Sequence, residues 1–207
     1  MSRLSEHWTS REHDSTLPEY SQEERRTLLR IAHRSILTAL GLPQPPEQAI
    51  PHHLAEPRGV FTTLYLRGGL RGCVGYPLPV APLHRAVAET ARSAALDDCR
   101  FSPVTVMEGP ELKISLSVLS RLFPIQPEQV EVGRHGLIIA LGAHRGLLLP
   151  QVPVEADWDR ETFLAQTCRK AGLPSDSWNK GAELQAFTAE VFGDEGGEDE
   201  TKEKGKD

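Results

Sequence analysis

The chain has 207 residues, of which 39% are hydrophobic and 25% are charged, a balance that is typical of a globular protein and excludes a fibrous one. No apolar stretch reaches the ~18 residues that a membrane-spanning helix needs, and the start of the chain lacks the apolar block of a secretory signal, so we expect a soluble cytoplasmic protein. The net charge of −6 is concentrated in residues 193–207, where seven acidic residues stand against three lysines, and the nearly neutral remainder gives no electrostatic reason to expect binding to nucleic acid or to a membrane.

Both ends of the chain are predicted to be disordered tails. Residues 1–20 are polar and aperiodic, and residues 193–207 are a run of Gly, Glu, Asp and Lys, so neither end can bury enough apolar surface to become ordered. The chain has no internal repeat, and we therefore predict a single domain over residues 21–192. The three cysteines are far apart and form no CxxC pair, which favours free thiols in a reducing compartment.

The first predicted element is a helix that begins after Ser21. Ser21 and Glu24 have the spacing of a capping box, apolar residues then recur at helical intervals, and Gly41 ends the pattern. Residues 43–57 contain five prolines and the pair His52–His53. They are predicted to form an extended connector on the surface.

A β-hairpin and a second helix are predicted next. Residues 59–66 are rich in β-branched and aromatic side chains, Gly68 and Gly69 fit a tight turn, and residues 70–74 can pair back as an antiparallel strand. Residues 82–96 place Leu, Val and Ala on one side of a helix with a proline in its first turn.

The second half of the chain predicts more strands than helices. Its predicted elements are a half-buried strand over 112–119, a hairpin of 136–141 and 145–149, a helix over 159–171 and a last strand over 182–192. The continuous apolar strands of the hairpin indicate a central position. Two hairpins and long irregular connectors do not fit a doubly wound parallel sheet, so we predict an α+β fold with mostly antiparallel sheet and packed helices.

The most unusual segment is the hexapeptide LRGCVG, residues 70–75. In an extended strand Arg71 and Cys73 would project from the same face, and a guanidinium so close would favour the thiolate. Gly72 and Gly75 would let a substrate approach the backbone and could offer it donors. The alternative is a small cysteine packed in a tight strand, with Arg71 in a salt bridge and the glycines setting a bulge.

The sequence predicts no metal site and no cofactor. It contains none of the motifs of nucleotide-binding, zinc-protease or serine-hydrolase sites. The adjacent pair His52–His53 is a poor chelate, since neighbouring residues of an extended chain point in opposite directions. His84 and His135 are the histidines that could approach Cys73 in space, and the sequence leaves this open.

The loop after the second predicted helix carries further candidates. Asp98, Arg100 and Phe101 could orient a ligand there, because binding residues are often placed on loops. The alternative role for Asp98 and Arg100 is to cap the helix and to form salt bridges.

Five segments of the chain, in order, resemble the domain named for AMME chromosomal region gene 1, which in bacteria and archaea is protein A of the AmmeMemoRadiSam system. The resemblance spans about Glu23 to Phe192. It implies one α+β domain of two lobes, the larger built from both ends of the domain and the smaller inserted, with LRGC[IV]G as the signature. The five segments are residues 59–75, 98–103, 114–119, 135–151 and 163–172.

The resemblance also assigns loop residues and partners. Asp98, Arg100 and Phe101 are carried over from the family's loop, whereas Cys99 and Ser102 stand where the family commonly has proline. Cys99 leaves open a dithiol with Cys73, beside the simpler role of a small loop residue. The system name implies two partners, a Memo-like protein that resembles iron-dependent dioxygenases and a radical SAM (S-adenosylmethionine) protein.

Two functions stay open at the level of sequence. In the first, the protein is an enzyme in which Cys73 is the nucleophile or thiolate base, Arg71 lowers its pKa and binds an anionic group, and Asp98 and Arg100 shape the opposite wall. In the second, the protein is a non-catalytic module that binds the Memo-like and radical SAM partners or delivers substrate to them, and Cys73 is structural.

Overall fold

The computed structural model describes residues 18–46 and 48–194. Most of the two predicted tails, residues 1–17 and 195–207, lies outside the described residues. No helix in the described part of the chain is long and apolar enough to cross a membrane.

The inner ends of the two predicted tails belong to the packed body. Tyr20 is buried and stacks on the ring of His53, with 5.0 Å between ring centroids. Asp194 accepts a hydrogen bond from the backbone amide of Ile114 at 2.9 Å. Packing therefore extends beyond the boundaries predicted at residues 20 and 193, because an aromatic ring and a paired carboxylate stabilise these positions.

The first lobe is a four-stranded antiparallel sheet with two helices packed against it. Its elements are α1 (Gln22–Ala39), β1 (Val60–Leu66), β2 (Gly69–Tyr76), α2 (Leu83–Leu96), β3 (Lys113–Leu119) and a last strand, Ala189–Gly193. The strand order is β2, β1, β3 and then the last strand, so β2 lies at an edge of the sheet. The predicted capping box is present at the start of α1, where Ser21 and Glu24 bond reciprocally.

Alternation along β1 separates a helix-covered face from an opposite face. Thr62 and Leu64 are fully buried, and the Thr62 hydroxyl is 2.8 Å from the hydroxyl of Thr90 on α2. Thr63 lies between them in sequence and therefore faces the other way. Its partner in the β1–β2 register is Cys73. The helices therefore cover one face of the sheet, and Cys73 belongs to the other.

The second lobe has its own antiparallel sheet and its own core. Its elements are β4 (Phe123–Pro124), β5 (Gly136–Leu141), β6 (His144–Leu148), α3 (Gln151–Glu155), α4 (Arg160–Lys170) and β7 (Glu183–Phe187). The strand order is β4, β7, β5, β6, so of the predicted second hairpin β5 is interior and β6 lies at an edge. The core joins Leu137 and Ile139 of β5 to Phe163 and Leu164 of α4.

The prediction of one strand over residues 182–192 is wrong, because two strands in different sheets occupy this range. Strand β7 ends at Phe187, and the next strand, β8 (Ala189–Gly193), pairs with β3 in the first lobe. Between them Thr188 exchanges two 2.9 Å hydrogen bonds with Ser120, its amide donating to the Ser120 hydroxyl and its carbonyl accepting from the Ser120 amide. The chain leaves the first lobe after β3 and returns to it as β8, which confirms a smaller lobe inserted into a larger one.

Among the short elements that were not predicted are a 3₁₀ turn in the connector, strand β4 and helix α3. The connector 43–57 contains a 3₁₀ turn, His52–Ala55, whose Leu54 is fully buried, so the connector is only partly an extended surface segment. Strand β4 and helix α3 are the other two, and both are too short to show a hydrophobic period.

Candidate functional site

Cys73 lies on the edge strand β2, and its backbone is capped by the loop that follows α2. The Cys73 amide donates to the Asp98 carboxylate at 2.8 Å, and the Cys73 carbonyl accepts from the Arg100 guanidinium at 3.1 Å. An edge strand usually leaves such groups exposed to solvent or to another chain. Here one carboxylate and one guanidinium take the place of a further strand.

The sulfur of Cys73 has its own neighbours. The Thr63 hydroxyl donates to Sγ at 3.4 Å across the β1–β2 pair. Phe61, two residues before Thr63 and on the same face of the sheet, packs against the cluster of Leu119, Ile138 and Phe187 that joins the two lobes. Cys73 therefore lies beside the junction of the lobes, and it is only partly buried.

Asp98 is the centre of the loop's contacts. Its side chain is only 6% exposed and accepts hydrogen bonds from the Cys73 amide, from the Arg100 amide and from two guanidinium nitrogens of Arg100, Nε at 3.0 Å and Nη2 at 2.7 Å. The bonds from Arg100, followed by the backbone bond from Cys73, hold the pKa of Asp98 well below its usual range. Asp98 is therefore a carboxylate that positions other groups and is not suited to act as a general acid.

Arg100 is fixed by Asp98 but open to solvent. Hydrogen bonding to Asp98 and the negative charge of Asp98 raise the pKa of Arg100 above its ordinary value. Its side chain is 54% exposed, and the guanidinium lies 5.5 Å from the centroid of the Phe101 ring. No described residue accepts a hydrogen bond from its Nη1. Arg100 is thus a cation beside Cys73 that has a donor to spare.

Arg71 is engaged away from the sulfur. Its guanidinium donates to both oxygens of Glu108, at 3.1 and 3.2 Å, and to the carbonyls of Ser102 at 2.8 Å and Pro103 at 3.2 Å. The Arg71 side chain is only 12% exposed, and none of its hydrogen bonds goes to Cys73. The predicted salt bridge is therefore present, and its effect is to fasten β2 to the loop.

A β-bulge at Arg71 breaks the regular pairing of the hairpin. The register pairs Tyr65 with Leu70 but Leu64 with Gly72, so Arg71 is left without a partner on β1. The shared face predicted for Arg71 and Cys73 assumed an uninterrupted strand, and the bulge interrupts it.

Gly72 and Gly75 are required by close packing. A Cβ at Gly72 would lie 2.1 Å from the carbonyl oxygen of Ala94 on α2, and one at Gly75 would lie 2.3 Å from the ring of Phe61. Gly72 is also buried. These contacts account for both glycines without a substrate.

The two histidines considered near Cys73 have other partners. His84 bonds the Leu54 carbonyl at 3.0 Å, and His135 accepts from the Glu131 amide at 3.0 Å in the second lobe, where burial lowers its pKa. Among the described residues no group of three or more His, Cys, Asp and Glu could hold a metal ion.

All three cysteines are free thiols in different surroundings. Cys73 is partly buried, Cys99 is exposed and Cys168 is buried. Burial raises the pKa of Cys168. Cys99 and Cys168 therefore supply an exposed and a buried reference for the reactivity of Cys73.

Thr63 and Glu108 are site residues that the sequence reasoning missed. Glu108 could have been found from the sequence, because Thr105 and Glu108 have the spacing of a capping box. In the structure the Thr105 amide donates to the Glu108 carboxylate at 2.7 Å, and the Glu108 amide donates to the Thr105 hydroxyl at 3.4 Å. Together with Arg71 these bonds lower the pKa of Glu108 to about 2. Thr63 could be found only by knowing the register across the bulge.

Comparison with known proteins gives a consistent result. The family model described as AMMECR1 matches residues 29–192. The chain is 45% identical to a protein of Thermococcus onnurineus, over 81% of this chain and 89% of that protein, and 44% identical to protein MK0488 of Methanopyrus kandleri, over 88% and 94%. It is also similar to the crystal structure of uncharacterized protein PH0010 from Pyrococcus horikoshii, with 43% identity, a TM-score of 0.67 and coverage of 84% of this chain and 93% of that one.

Proposed function

The chain belongs to the AMMECR1 family, and we propose that it is an enzyme in which the Cys73 thiolate attacks a small electrophilic substrate whose anionic group is bound by Arg100. The observation that carries this proposal is the surroundings of the Cys73 sulfur. The Thr63 hydroxyl donates to the sulfur at 3.4 Å, and the Arg100 guanidinium donates to the carbonyl of the same residue at 3.1 Å. Hydroxyl and cationic neighbours are the groups that stabilise negative charge on sulfur.

The role first expected of Arg71 passes to Arg100 in this proposal. Arg71 has its donors committed to Glu108 and to two carbonyls, so it acts as a positioning residue. Arg100 keeps Nη1 for a ligand, while Asp98 fixes the orientation of its guanidinium. A fixed guanidinium with a spare donor suits recognition of a carboxylate or a phosphate.

The proposed step is a nucleophilic displacement. The Cys73 sulfur forms a bond to an electrophilic carbon, the electron pair of the bond that breaks leaves with the leaving group, and the thiol proton passes to water. Water is the proton acceptor in this step, because the Thr63 hydroxyl donates to the sulfur and does not accept from it. At an acyl carbon the product of this step is a thioester, and later attack by water breaks its carbon–sulfur bond, releases the acid and returns the thiol.

Alkylation of the three cysteines in the folded protein tests this function. We expect iodoacetamide at pH 7 to modify Cys73 faster than the exposed Cys99 and much faster than Cys168, as read by mass spectrometry of tryptic peptides. Iodoacetate carries a carboxylate, so at Cys73 the ratio of the iodoacetate rate to the iodoacetamide rate should fall about two- to fivefold in Arg100→Gln. Arg67→Gln, which removes an exposed arginine from the same hairpin, is the matched control and should leave the ratio unchanged.

Two results would contradict the enzyme. One is a Cys73 that reacts more slowly than Cys99 in the folded protein, which would make the hexapeptide architectural. The other is a rate ratio at Cys73 that is the same in Arg100→Gln as in Arg67→Gln, because the guanidinium would then not meet anionic reagents.

Exposed apolar side chains near the signature favour a second function, the binding of protein partners. Leu70 adjoins Arg71 and is 48% exposed, and Val106 and Met107, just before Glu108, are 51% and 81% exposed. Apolar groups at these exposures are suited to an interface. The partners proposed for it are the Memo-like and radical SAM proteins of the AmmeMemoRadiSam system.

Co-purification separates the two functions. If the protein is a partner-binding module, Met107→Glu should abolish recovery of the Memo-like and radical SAM proteins, whereas Val154→Glu, at another exposed apolar position in the second lobe, should not. Cys73→Ser should then leave the activity of the assembled system intact. A serine variant that folds and binds its partners but is inactive would instead support the enzyme.

A further inference from the structure

A second candidate site lies on the helical side of the first lobe. A cavity of about 420 Å³ opens between α1, over residues Thr27 to Ala39, and α2, over residues His84 to Arg92. Pro46, Gln48 and Ile50 of the connector close one end of it. Residues of these helices and of the connector line the cavity, so it is separate from the face of the sheet that carries Cys73.

The cavity is lined by cations. The guanidinium-bearing residues are Arg30, Arg34, Arg85 and Arg92, and none of the described lining residues is acidic. Arg92 is paired with Asp97 at 3.3 Å, and Arg34 donates to the Pro45 carbonyl at 3.2 Å. The guanidinium groups of the other two, Arg30 and Arg85, make no hydrogen bond or ion pair with any other described residue.

Arg30 supplies the sharpest sign of a missing ligand. Its Nη1 is buried and has no hydrogen-bond partner among the described residues. A buried cationic donor without an acceptor is costly, and proteins seldom keep one without a reason. A small rotation of the guanidinium into the cavity would give Nη1 an acceptor oxygen of a ligand.

The remaining lining indicates what the rest of the ligand is. Ile31 and Ala39 of α1, Ala88 of α2 and Ile50 of the connector present apolar surface in the same cavity. A volume of about 420 Å³ is in the range of sites for small organic molecules. Arginines and apolar side chains in one cavity fit a ligand that has an anionic head and a compact apolar body.

We propose that this cavity binds a small organic phosphate, with the phosphate on Arg30 and Arg85 and the apolar part against Ile31 and Ala88. Guanidinium groups match phosphate oxygens with paired donors, which favours a phosphate dianion at a site with two uncommitted arginines. This inference is independent of the chemistry proposed for Cys73, because it uses none of the same residues.

Isothermal titration calorimetry of the full chain with phenyl phosphate tests the proposal. Phenol and inorganic phosphate, which are the two halves of the probe, should each bind more weakly than phenyl phosphate. Arg30→Gln and Arg85→Gln should each weaken binding about tenfold or more, the effect of losing a hydrogen bond to a charged group. Arg26→Gln removes the same charge from the exposed side of α1 and should bind like the wild type.

Ala88→Leu tests the cavity without changing charge. It should weaken phenyl phosphate binding about tenfold by filling the apolar part, while circular dichroism confirms that the helices are intact. The proposal is overturned if phenyl phosphate shows no saturable binding or if inorganic phosphate binds as tightly as phenyl phosphate. It is also overturned if Arg26→Gln weakens the binding of phenyl phosphate as much as Arg30→Gln does. Cys73→Ser should bind phenyl phosphate normally, so failure of the Cys73 chemistry would be distinguishable from failure of this site.

Discussion

Replacing Gly72 with alanine tests whether packing against α2 determines the hexapeptide. The new Cβ would lie 2.1 Å from the carbonyl oxygen and 3.1 Å from the carbonyl carbon of Ala94, whereas real Cβ contacts essentially never fall under 3.0 Å. Both atoms are backbone, so β2 and α2 have to move apart. Overpacking a core costs roughly 1–3 kcal/mol, and because no side chain can yield here we expect a loss near the top of that range, about 3 kcal/mol.

Scanning calorimetry measures this loss against two neighbouring glycines. For a chain of this size about 3 kcal/mol lowers Tm by roughly 6–12 °C. Gly69→Ala would place its Cβ 3.5 Å from the Leu66 carbonyl oxygen, an ordinary contact, and should change Tm by less than about 2 °C. Gly68→Ala isolates backbone strain at a φ of 80°, which costs roughly 1–2 kcal/mol. If Gly72→Ala and Gly69→Ala have the same Tm, the packing argument is refuted and Gly72 needs a functional explanation.

Three further predictions concern the bonds that fasten β2 to the loop. The pKa of Glu108 falls from 4.5 to about 2, chiefly through Arg71, so its stabilising effect is complete above pH 4.5 and is lost as the pH falls through about 2. Glu108→Gln should therefore flatten the acid side of a plot of Tm against pH, and an unchanged slope between these values would contradict it. Arg71→Lys keeps the charge but loses the planar fork, and urea titration should show a fall of about 2 kcal/mol in the free energy of unfolding, against less than about 0.5 for the exposed Arg67→Lys. Asp98→Asn weakens the cap on the strand edge, so the Cys73 amide should exchange with deuterium about tenfold faster; equal rates in the two proteins would mean that the carboxylate does not protect it.

Local signals in the sequence located most helices and strands of the fold. The capping box at Ser21, the turn glycines at Gly68 and Gly69, and the period of residues 82–96 each act through contacts within a few residues. The change of sheet at Thr188 could not be found in this way, because it depends on Ser120, which is distant in sequence. The alternation of residue types was the only signal available, so the sequence predicted β7 and β8 as one strand.

The residue types of the site were identified from the sequence, but their pairing was not. Cys73, Asp98 and Arg100 come together as candidates on two segments that the fold places in contact. Which arginine lies beside the sulfur depends on one unpaired residue in β2. A regular hairpin that kept the pairing of Tyr65 with Leu70 would put Cys73 opposite Thr62, on the helix-covered face.

The bulge also gives the two arginines different tasks. Arg71, left without a partner on β1, reaches the carboxylate and carbonyls of the loop and fixes the loop to the strand. With the loop in place, the Asp98 carboxylate accepts from the Cys73 amide at the edge of β2. It also orients the Arg100 guanidinium, which donates to the Cys73 carbonyl. The structural role of the hexapeptide thus explains Arg71 and the glycines. It does not explain the Cys73 sulfur or the Nη1 group of Arg100. The enzyme proposal therefore rests on those two residues, whereas the partner-binding proposal rests on the exposed apolar side chains near the hexapeptide.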